Sequence, residues 1–543
     1  MDRRSFLRSA GAAGIAATAS GVAATMAAAE PQKANKAPIA RRSGSARRQS
    51  VILMTDATRR DMLNCYKLTG VQTPNLDRLA AEGVRFERAY TTQPVGTSAR
   101  SAIFTGLYPH TNGCWGNSMP LGNTVHTIGQ RLNDKGVHCG YIGKWNLDGF
   151  DSFGTGKPAP GWDPACWYDQ RNYLEELTPE DRRRSREAKT SNDPKLQAGF
   201  TFAHRCSSRA VDFIAKHKDE DFLLVVSYDE PRDPSVAPAN YSDLYKEYSF
   251  PRVANVDDML KDKPEEQIVW ADGDLNKPVT PIRDPQLFGA LTFVDSEIGR
   301  VLDEIDRSTP GAMVLYTSDH GGMLKSHHLH GSGPAMYEEI TNVPLLVRWK
   351  DHAPKNTASH VPMSHIDISG TMMEYFGFEI PKVLEGGSML ATIQKPDRSS
   401  REDVFIEWGR YGVDRDGFGG FQPIRCICDG RYKLSIHLLS SDELYDLKED
   451  YGEMNNLIAS EEHAELRNRM HDTLLDWMDS SRDPFRGYYW GRREWRKDYP
   501  VSWENHGMIR QREQDGNLPR ELDRDTGLPM KEATRAQGKG NLK

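Results

Sequence analysis

The stretch PVGTSARSAIFTGLYPHTNG (residues 94–113) sets an arginine, Arg100, on the first turn of a short helix. The pattern starts that helix near Ser98 and closes it at Thr105-Gly106. A guanidinium at that place adds a bidentate oxyanion clamp to the positive end of the helix dipole. Three further groups end apolar runs: Asp56 closes SVILMTD, and Asp319-His320 closes AMVLYTSD-H before Gly321-Gly322. Each alone would serve equally well as a turn former or helix cap. Together, at strand ends beside the Arg100 helix, Asp56, Asp319 and His320 form a candidate metal cradle, because hard cations take oxygen ligands and buried carboxylates need a compensating charge. Lys144 in GYIGKWNL follows an apolar run, where an ammonium neutralises an anionic group or is simply solvated in a loop. SYDEPRDP offers Asp229, Glu230, Arg232 and Asp233 at another strand end, and SHHLHG crowds His327, His328 and His330 together. Paired carboxylates at a suitable separation permit glycoside hydrolysis. A His or Tyr base near a neutralised uronate permits elimination.

The elements that must hold these groups are legible as runs. SVILMTD, FLLVVSY (222–228), AMVLYTSD (312–319) and PLLVRW (344–349) read as buried strands, alternating with helical stretches such as TPNLDRLAAEG and LFGALTFVDSEIGRVLDEID (287–306). That alternation predicts a doubly wound α/β fold, whose site lies at the carboxyl ends of the strands. Near residue 400 the composition shifts: DVFIEWGRYGVD, QPIRCICDGRYKLSIHL and DELYDL read as a smaller antiparallel sheet followed by a helix. The expected organisation is a signal peptide at 1–29, a linker at 30–49, an α/β catalytic domain at 50–400, a C-terminal α+β subdomain at 401–490 and an extended tail at 491–543. The start MDRRSFL, an Ala/Gly-rich middle and Ala27-Ala28-Ala29 resemble a twin-arginine signal, which predicts export to the periplasm or outside.

The chain of 543 residues carries a net charge of -7, with both signs spread along it, which argues against a nucleic-acid partner. No later run reaches the ~18 apolar residues of a membrane span. Seven cysteines without metal-finger spacing read as buried free thiols. Oligomeric state is not legible.

The motifs TDATRRDMLNCY, TPNLDRLAAEGVRFERAYTTQPV, RSAIFTGLYPHTNG, GYIGKWNL, YTSDHGG, MYEEITNVPLLVRW, DGRYKL and ELYDLKEDYGEMNNL, from Ser50 to about Asp483, resemble the formylglycine-dependent sulfatases of the alkaline phosphatase superfamily. The resemblance implies that family's mixed-sheet fold and a divalent metal, with Ca²⁺ or Mg²⁺ favoured and the nitrogen ligand leaving Mn²⁺ or Zn²⁺ open. It also implies a nucleophile made by oxidising a Cys four residues before the Arg. Counting back from Arg100, that position is Gly96, which cannot become an aldehyde, and the Pro expected two residues later is Ser98. No formylglycine is therefore expected. Where the family has His, His and Lys, this chain has Asn146, Arg232 and Ser332, and the second acid of the first metal pair is Ala57. Asp56, Arg100, Lys144, Asp319, His320 and His327 match. The resulting expectation is a metal-dependent hydrolase acting on carbohydrate, a sulfated or uronate glycan, turned from formylglycine chemistry to another reaction such as glycosidic-bond cleavage. Arg100, Lys144, Asp229, Glu230, Arg232 and His327 are then catalytic, and Asn146, Ser332, His328 and His330 bind substrate. The alternatives are sulfate-ester hydrolysis through a substitute nucleophile, Thr97 or Ser98, and a non-catalytic glycan-binding protein.

Overall fold

The computed structural model describes residues 47–149, 153–271, 273–399, 401–412, 420–497, 499 and 528. The expected signal peptide, the linker up to residue 46 and nearly all of the tail after 497 lie outside the described residues. Thirteen strands are described. The large sheet contains β1 (Gln49–Thr55), β2 (Val84–Phe86), β4 (His138–Gly143), β5 (Phe222–Ser227), β6 (Met313–Ser318), β7 (Leu345–Arg348) and β8 (Thr357–Ser359) in the order β4-β5-β1-β6-β7-β2-β8. A short pair joins β3 (Ala89–Tyr90) and β9 (Met363–Ser364).

The strands β4, β5, β1 and β6 are mutually parallel, with His138 opposite Phe222 and Ser50 opposite Met313. Their buried runs alternate between two faces, as the period of two requires. Val51, Leu53, Leu224, Val226 and Val314 meet the helices Phe202–His217 and Pro285–Ser308 on one face. Ile52, Met54, Leu223, Val225 and Leu315 meet Ile103, Phe104, Ile128 and Met372 on the other. A parallel sheet covered on both faces is the expected doubly wound core. The antiparallel β6–β7 and β2–β7 pairs make it mixed. Helix α1 (Pro74–Ala81) ends before Gly83, whose added Cβ would lie 2.2 Å from the Val347 carbonyl oxygen, so only glycine lets β2 lie against β7.

The second sheet is an antiparallel meander of β10 (Val404–Trp408), β11 (Ile424–Cys428), β12 (Tyr432–His437) and β13 (Glu443–Asp446). One face, with Ile427, Leu434 and Ile436, packs on Met470, Leu474 and Trp477 of the helix Ala464–Ser480. The other, with Val404, Ile406 and Cys426, packs on Tyr90, Val95 and Tyr337 of the large-sheet half. Residues 491–497 pack back on this sheet: Arg493 and Trp495 both donate to Asp442 at 2.8 Å. These residues fall within the stretch expected to be an extended tail, and they are packed on the sheet.

All seven cysteines are free, five of them buried. No helix of the described residues is long and apolar enough to cross a membrane.

Candidate active site

Because four adjacent strands run parallel, their carboxyl ends open on one edge, and each delivers a charged residue there. Asp56 follows β1, Lys144 follows β4, Asp229 follows β5, and Asp319-His320 follow β6. The turn into Lys144 needs Gly143: its φ is +116°, and a Cβ there would sit 1.9 Å from the Ser227 carbonyl oxygen. That close approach lets the Lys144 N–H donate to the same oxygen at 2.7 Å.

Helix α2 (Gly96–Thr105) points its N-terminus at this edge and ends on Gly106, in the left-handed region at φ +69°. It begins two residues before the start read from sequence. Its first turn is capped from a distant loop, where the Thr97 N–H donates to Asn117 Oδ1 at 3.2 Å, a contact with no local sequence signal. The side-chain direction of Gly96 faces the site: a Cβ there would lie 3.3 Å from Asn146 Nδ2 and 3.7 Å from Asp319 Oδ2.

Asp56, Asp319 and His320 come together as expected, all buried, with one ligand atom from each lying within 4.8 Å of the others. Asp319 Oδ1 accepts the N–H groups of Ala57 (3.1 Å) and His320 (2.9 Å). His320 Nδ1 lies 2.7 Å from the Gly321 carbonyl oxygen, so it is the protonated nitrogen. The lone pair is left on Nε2, which lies 4.0 Å from Asp56 Oδ1. Two carboxylates and an imidazole with its other nitrogen tied down are a donor set that fits a divalent ion. Ala57 adds no side-chain donor.

Arg100 is placed differently from the expectation. It is fully buried beneath the cleft floor, where Nε donates to Asp319 Oδ2 (3.0 Å) and Nη1 to the Lys144 carbonyl (2.8 Å) and Ser227 Oγ (2.6 Å). Only Nη2 is unpartnered, 4.0 Å from Asp56 Oδ2. Arg100 therefore orients the carboxylates from behind, because the strand ends close over it. Lys144 Nζ bonds Asp56 Oδ2 and, at 2.9 Å, Asp229 Oδ1. Burial works to raise the Asp319 and Asp229 carboxyls. The neighbouring cations, led by Arg100 for Asp319 and by Lys144 for Asp229, hold both below the usual carboxylate range.

A cleft of about 740 Å³ opens above this floor, lined by Asp56, Gly96, Asn117, Lys144, Asn146, Arg232, Asp233, Asp284, His320, His330, Ser332 and Tyr411, among others. Asn146, His330 and Ser332 thus stand where substrate binding was expected. Arg232 is exposed, and its charge is sustained first by Asp56 and also by Asp229 and Asp319. It is the guanidinium that meets solvent here.

Four expectations need correction. Glu230 faces away from the cleft, accepting the Ala203 N–H at 3.2 Å with its other oxygen buried and unpartnered. Burial, reinforced by Asp229, pushes its pKa up to about 8. Asp229 is held by Lys144 and lies 3.7 Å from Arg186, so the two carboxyls do not stand in the cleft as an acid and base. His327 is completely buried, stacked on Tyr337 at 3.9 Å and bonded through Nδ1 to Asp258 (2.6 Å) and Nε2 to Asn255 (2.9 Å); it is a packing residue. His328 is buried and does not line the cleft. Thr97 and Ser98, the substitute nucleophiles, are buried too: Thr97 Oγ1 accepts from Asn146 Nδ2 at 3.1 Å, and neither lines the cleft. Sequence reasoning missed Asn117, in a loop without a motif, and Arg186, hidden in a charged run that reads as a solvated helix.

The family model described as sulfatase matches residues 48–378, and that of the N-sulphoglucosamine sulphohydrolase C-terminal region matches 332–480. The chain is 42% identical over 492 residues to the uncharacterized sulfatase YidJ of Escherichia coli (strain K12), covering 88% of this chain and 96% of that one. It is 24% identical over 516 residues to the N-acetylglucosamine-6-O-sulfatase of Bacteroides thetaiotaomicron, covering 80% of this chain and 87% of that one. Among solved structures, BT4656 in complex with its substrate D-glucosamine-2-N,6-O-disulfate aligns with a TM-score of 0.66 at 19% identity, over 81% of this chain and 99% of that one. The phosphonate monoester hydrolase of Agrobacterium radiobacter aligns at 0.64 and 20%, over 80% of this chain and 96% of that one. Both likenesses are of fold.

Proposed function

Because this chain belongs to the sulfatase family of hydrolases, we propose that it is a metal-dependent hydrolase of an anionic glycan, a sulfated or uronate-bearing sugar, that works without formylglycine. The observation that carries this reading is Gly96. Its side-chain direction faces Asn146 and Asp319 at the floor of the cleft, so the position aimed at the site has no side chain to oxidise or to attack with. Asp56, Asp319 and His320 would hold a divalent ion, Ca²⁺ or Mg²⁺ by preference for the two carboxylates. Bound there, it would supply Lewis-acid polarisation of an anionic oxygen.

The remaining roles fall to residues on the walls. Lys144 and Arg232 bring positive charge to the anionic group of the substrate, and Arg100 fixes Asp319 from below. Asn146, His330 and Ser332 offer hydrogen bonds to sugar hydroxyls. With Thr97 and Ser98 withheld from the cleft, the attacking oxygen is water's. Of the wall carboxylates, Asp56 is bonded by Lys144 and Asp284 caps a helix by accepting the Leu287 N–H at 3.0 Å. That leaves Asp233 to take the proton. Hydrolysis of an ester accords with the sulfatase relatives. Cleavage of a glycosidic bond by Asp229 and Glu230 has no support, since neither lines the cleft.

A second reading is glycan binding without turnover. It is favoured by Lys144, which already balances Asp56 and Asp229 from within the chain. A panel of sulfated and unsulfated glycans, scored for free sulfate and new reducing ends with the protein's metal content measured alongside, separates the two. Product release that chelator abolishes supports the hydrolase, and binding with no product selects the second reading.

A further inference from the structure

We propose a second metal site, for a zinc-like ion, at the opposite edge of the large sheet, with His138, His217, Cys166 and Asp163 as ligands and Glu220 orienting both imidazoles. His138 opens β4, whose far end carries Lys144, so this cluster lies about 20 Å from the catalytic edge at the usual rise per strand residue. The ligands come from three segments that the sheet's amino edge gathers together: the start of β4, the loop at 163–166 and the last residue of the helix Phe202–His217. One ligand atom each from His138, Cys166 and His217 lies within 4.8 Å of the others.

The hydrogen bonds sort the nitrogens. Glu220 lies 2.9 Å from His138 Nδ1 through one oxygen and 3.1 Å from His217 Nδ1 through the other. One carboxylate thus accepts both Nδ1 protons, the arrangement by which carboxylates hold metal-binding histidines, and it leaves the lone pair of His217 on Nε2. His217 is 7% exposed, and its Nε2 is buried with no hydrogen-bond partner, an unsatisfied ligand atom inside the protein. His138 Nε2 donates to Asp163 Oδ2 at 2.7 Å, and the Cys166 thiol donates to that same oxygen at 3.4 Å, so both ligand atoms already converge on one point. Asp163 is held in turn by the Ala165 N–H at 2.9 Å on its other oxygen. The two rings stand edge to face, at 84° with centroids 4.3 Å apart.

Two imidazoles, one sulfur and one carboxylate match the borderline-soft preference of Zn²⁺ and not that of Ca²⁺ or Mg²⁺. Tetrahedral closure on such an ion brings ligand atoms to roughly 3.5 Å from one another, a side-chain adjustment of about 1 Å. Binding releases to solvent both the thiol proton and the His138 Nε2 proton now given to Asp163, and the thiolate with the freed Asp163 carboxylate then cancels the ion's charge. The ion would tie β4 to the helix that covers it and to the loop between them.

The test uses the whole chain, stripped with chelator and titrated with Co²⁺ and then Zn²⁺. One Co²⁺ should bind with a near-ultraviolet thiolate-to-cobalt band, and Zn²⁺ should displace it. Excess Ca²⁺, which would occupy the oxygen-rich cradle instead, should leave the band in place. Cys166→Ser should abolish the band, and Glu220→Gln should weaken Zn²⁺ binding about 10- to 100-fold, read by competition with a chromophoric chelator. Absence of the band from the wild-type protein, its loss to Ca²⁺, or its survival in Cys166→Ser would overturn the proposal. The wild-type spectrum decides even where a variant fails to fold.

Discussion

Arg100 and Arg232 divide between them a role that the sequence assigned to one residue. Arg100 sits under the floor with its guanidinium on Asp319, the Lys144 carbonyl and Ser227. Its spacing from Gly96 is visible in the sequence, but the closure of four strand ends above it is not. Arg232 reaches solvent at the cleft. Two substitutions should therefore behave oppositely. Arg100→Ala leaves Asp319 buried without its first partner and should cost about 3–5 kcal/mol of stability, the usual result of breaking a buried pair. Arg232→Ala should leave the denaturation midpoint unchanged and weaken an anionic glycan by about 1.5–3 kcal/mol, roughly 10- to 150-fold, with little effect on its uncharged counterpart. Urea denaturation and calorimetric titration of each variant check the pair. If Arg100→Ala is as stable as wild type, Arg100 does not orient the cradle.

At the level of elements, the sequence disclosed most of what it needed to. The apolar runs ending in Asp56, Asp229 and Asp319 are strands with those residues at their carboxyl ends, because a parallel strand covered on both faces has to be apolar throughout. The direction in which a strand-end side chain turns was not legible: consecutive residues Asp229 and Glu230 go to different environments, one to Lys144 and the other to the start of the helix Phe202–His217. The histidines of SHHLHG scatter likewise, since left-handed backbone at His327 and His328 breaks any regular spacing. Glu230 makes a pH prediction. Its pKa is raised to about 8 by burial first and Asp229 second, so the unfolded chain loses this proton earlier than the folded one. Over roughly pH 4.5 to 8 the unfolded state binds fewer protons at this site, and stability falls as pH rises. Glu230→Gln should flatten that slope and gain stability at pH 8 relative to pH 5, measured by urea midpoints across the range. An unchanged slope would place the proton elsewhere.

Across the whole molecule, the two sheets and the cleft follow from patterning, while the site's chemistry follows from contacts between residues far apart in sequence, such as Asp56 with Asp319 and His320. No local motif announces Asn117 at the start of α2 or Arg186 near Asp229. A metal held by Asp56, Asp319 and His320 would stabilise the folded state by mass action, about 2.7 kcal/mol at an ion concentration one hundred times Kd. The melting temperature of chelator-stripped protein should therefore rise with added Ca²⁺ or Mg²⁺, and Asp56→Asn should remove the response. A melting curve indifferent to every divalent ion would mean that Lys144 alone serves Asp56. The most direct measurement concerns Gly96 itself. Gly96→Cys with Ser98→Pro, coexpressed with a formylglycine-generating enzyme, is checked by mass spectrometry for the aldehyde and then assayed on an arylsulfate. The aldehyde should form without restoring turnover, because a Cβ at this position presses on Asn146 at 3.3 Å. Moreover, Asn146, Arg232 and Ser332 supply none of the acid-base contributions that the family's side chains make there, each typically worth on the order of 10²-fold or more. Confirmed aldehyde with robust sulfate release would contradict the account and leave Gly96 as the one lesion in an otherwise working sulfatase.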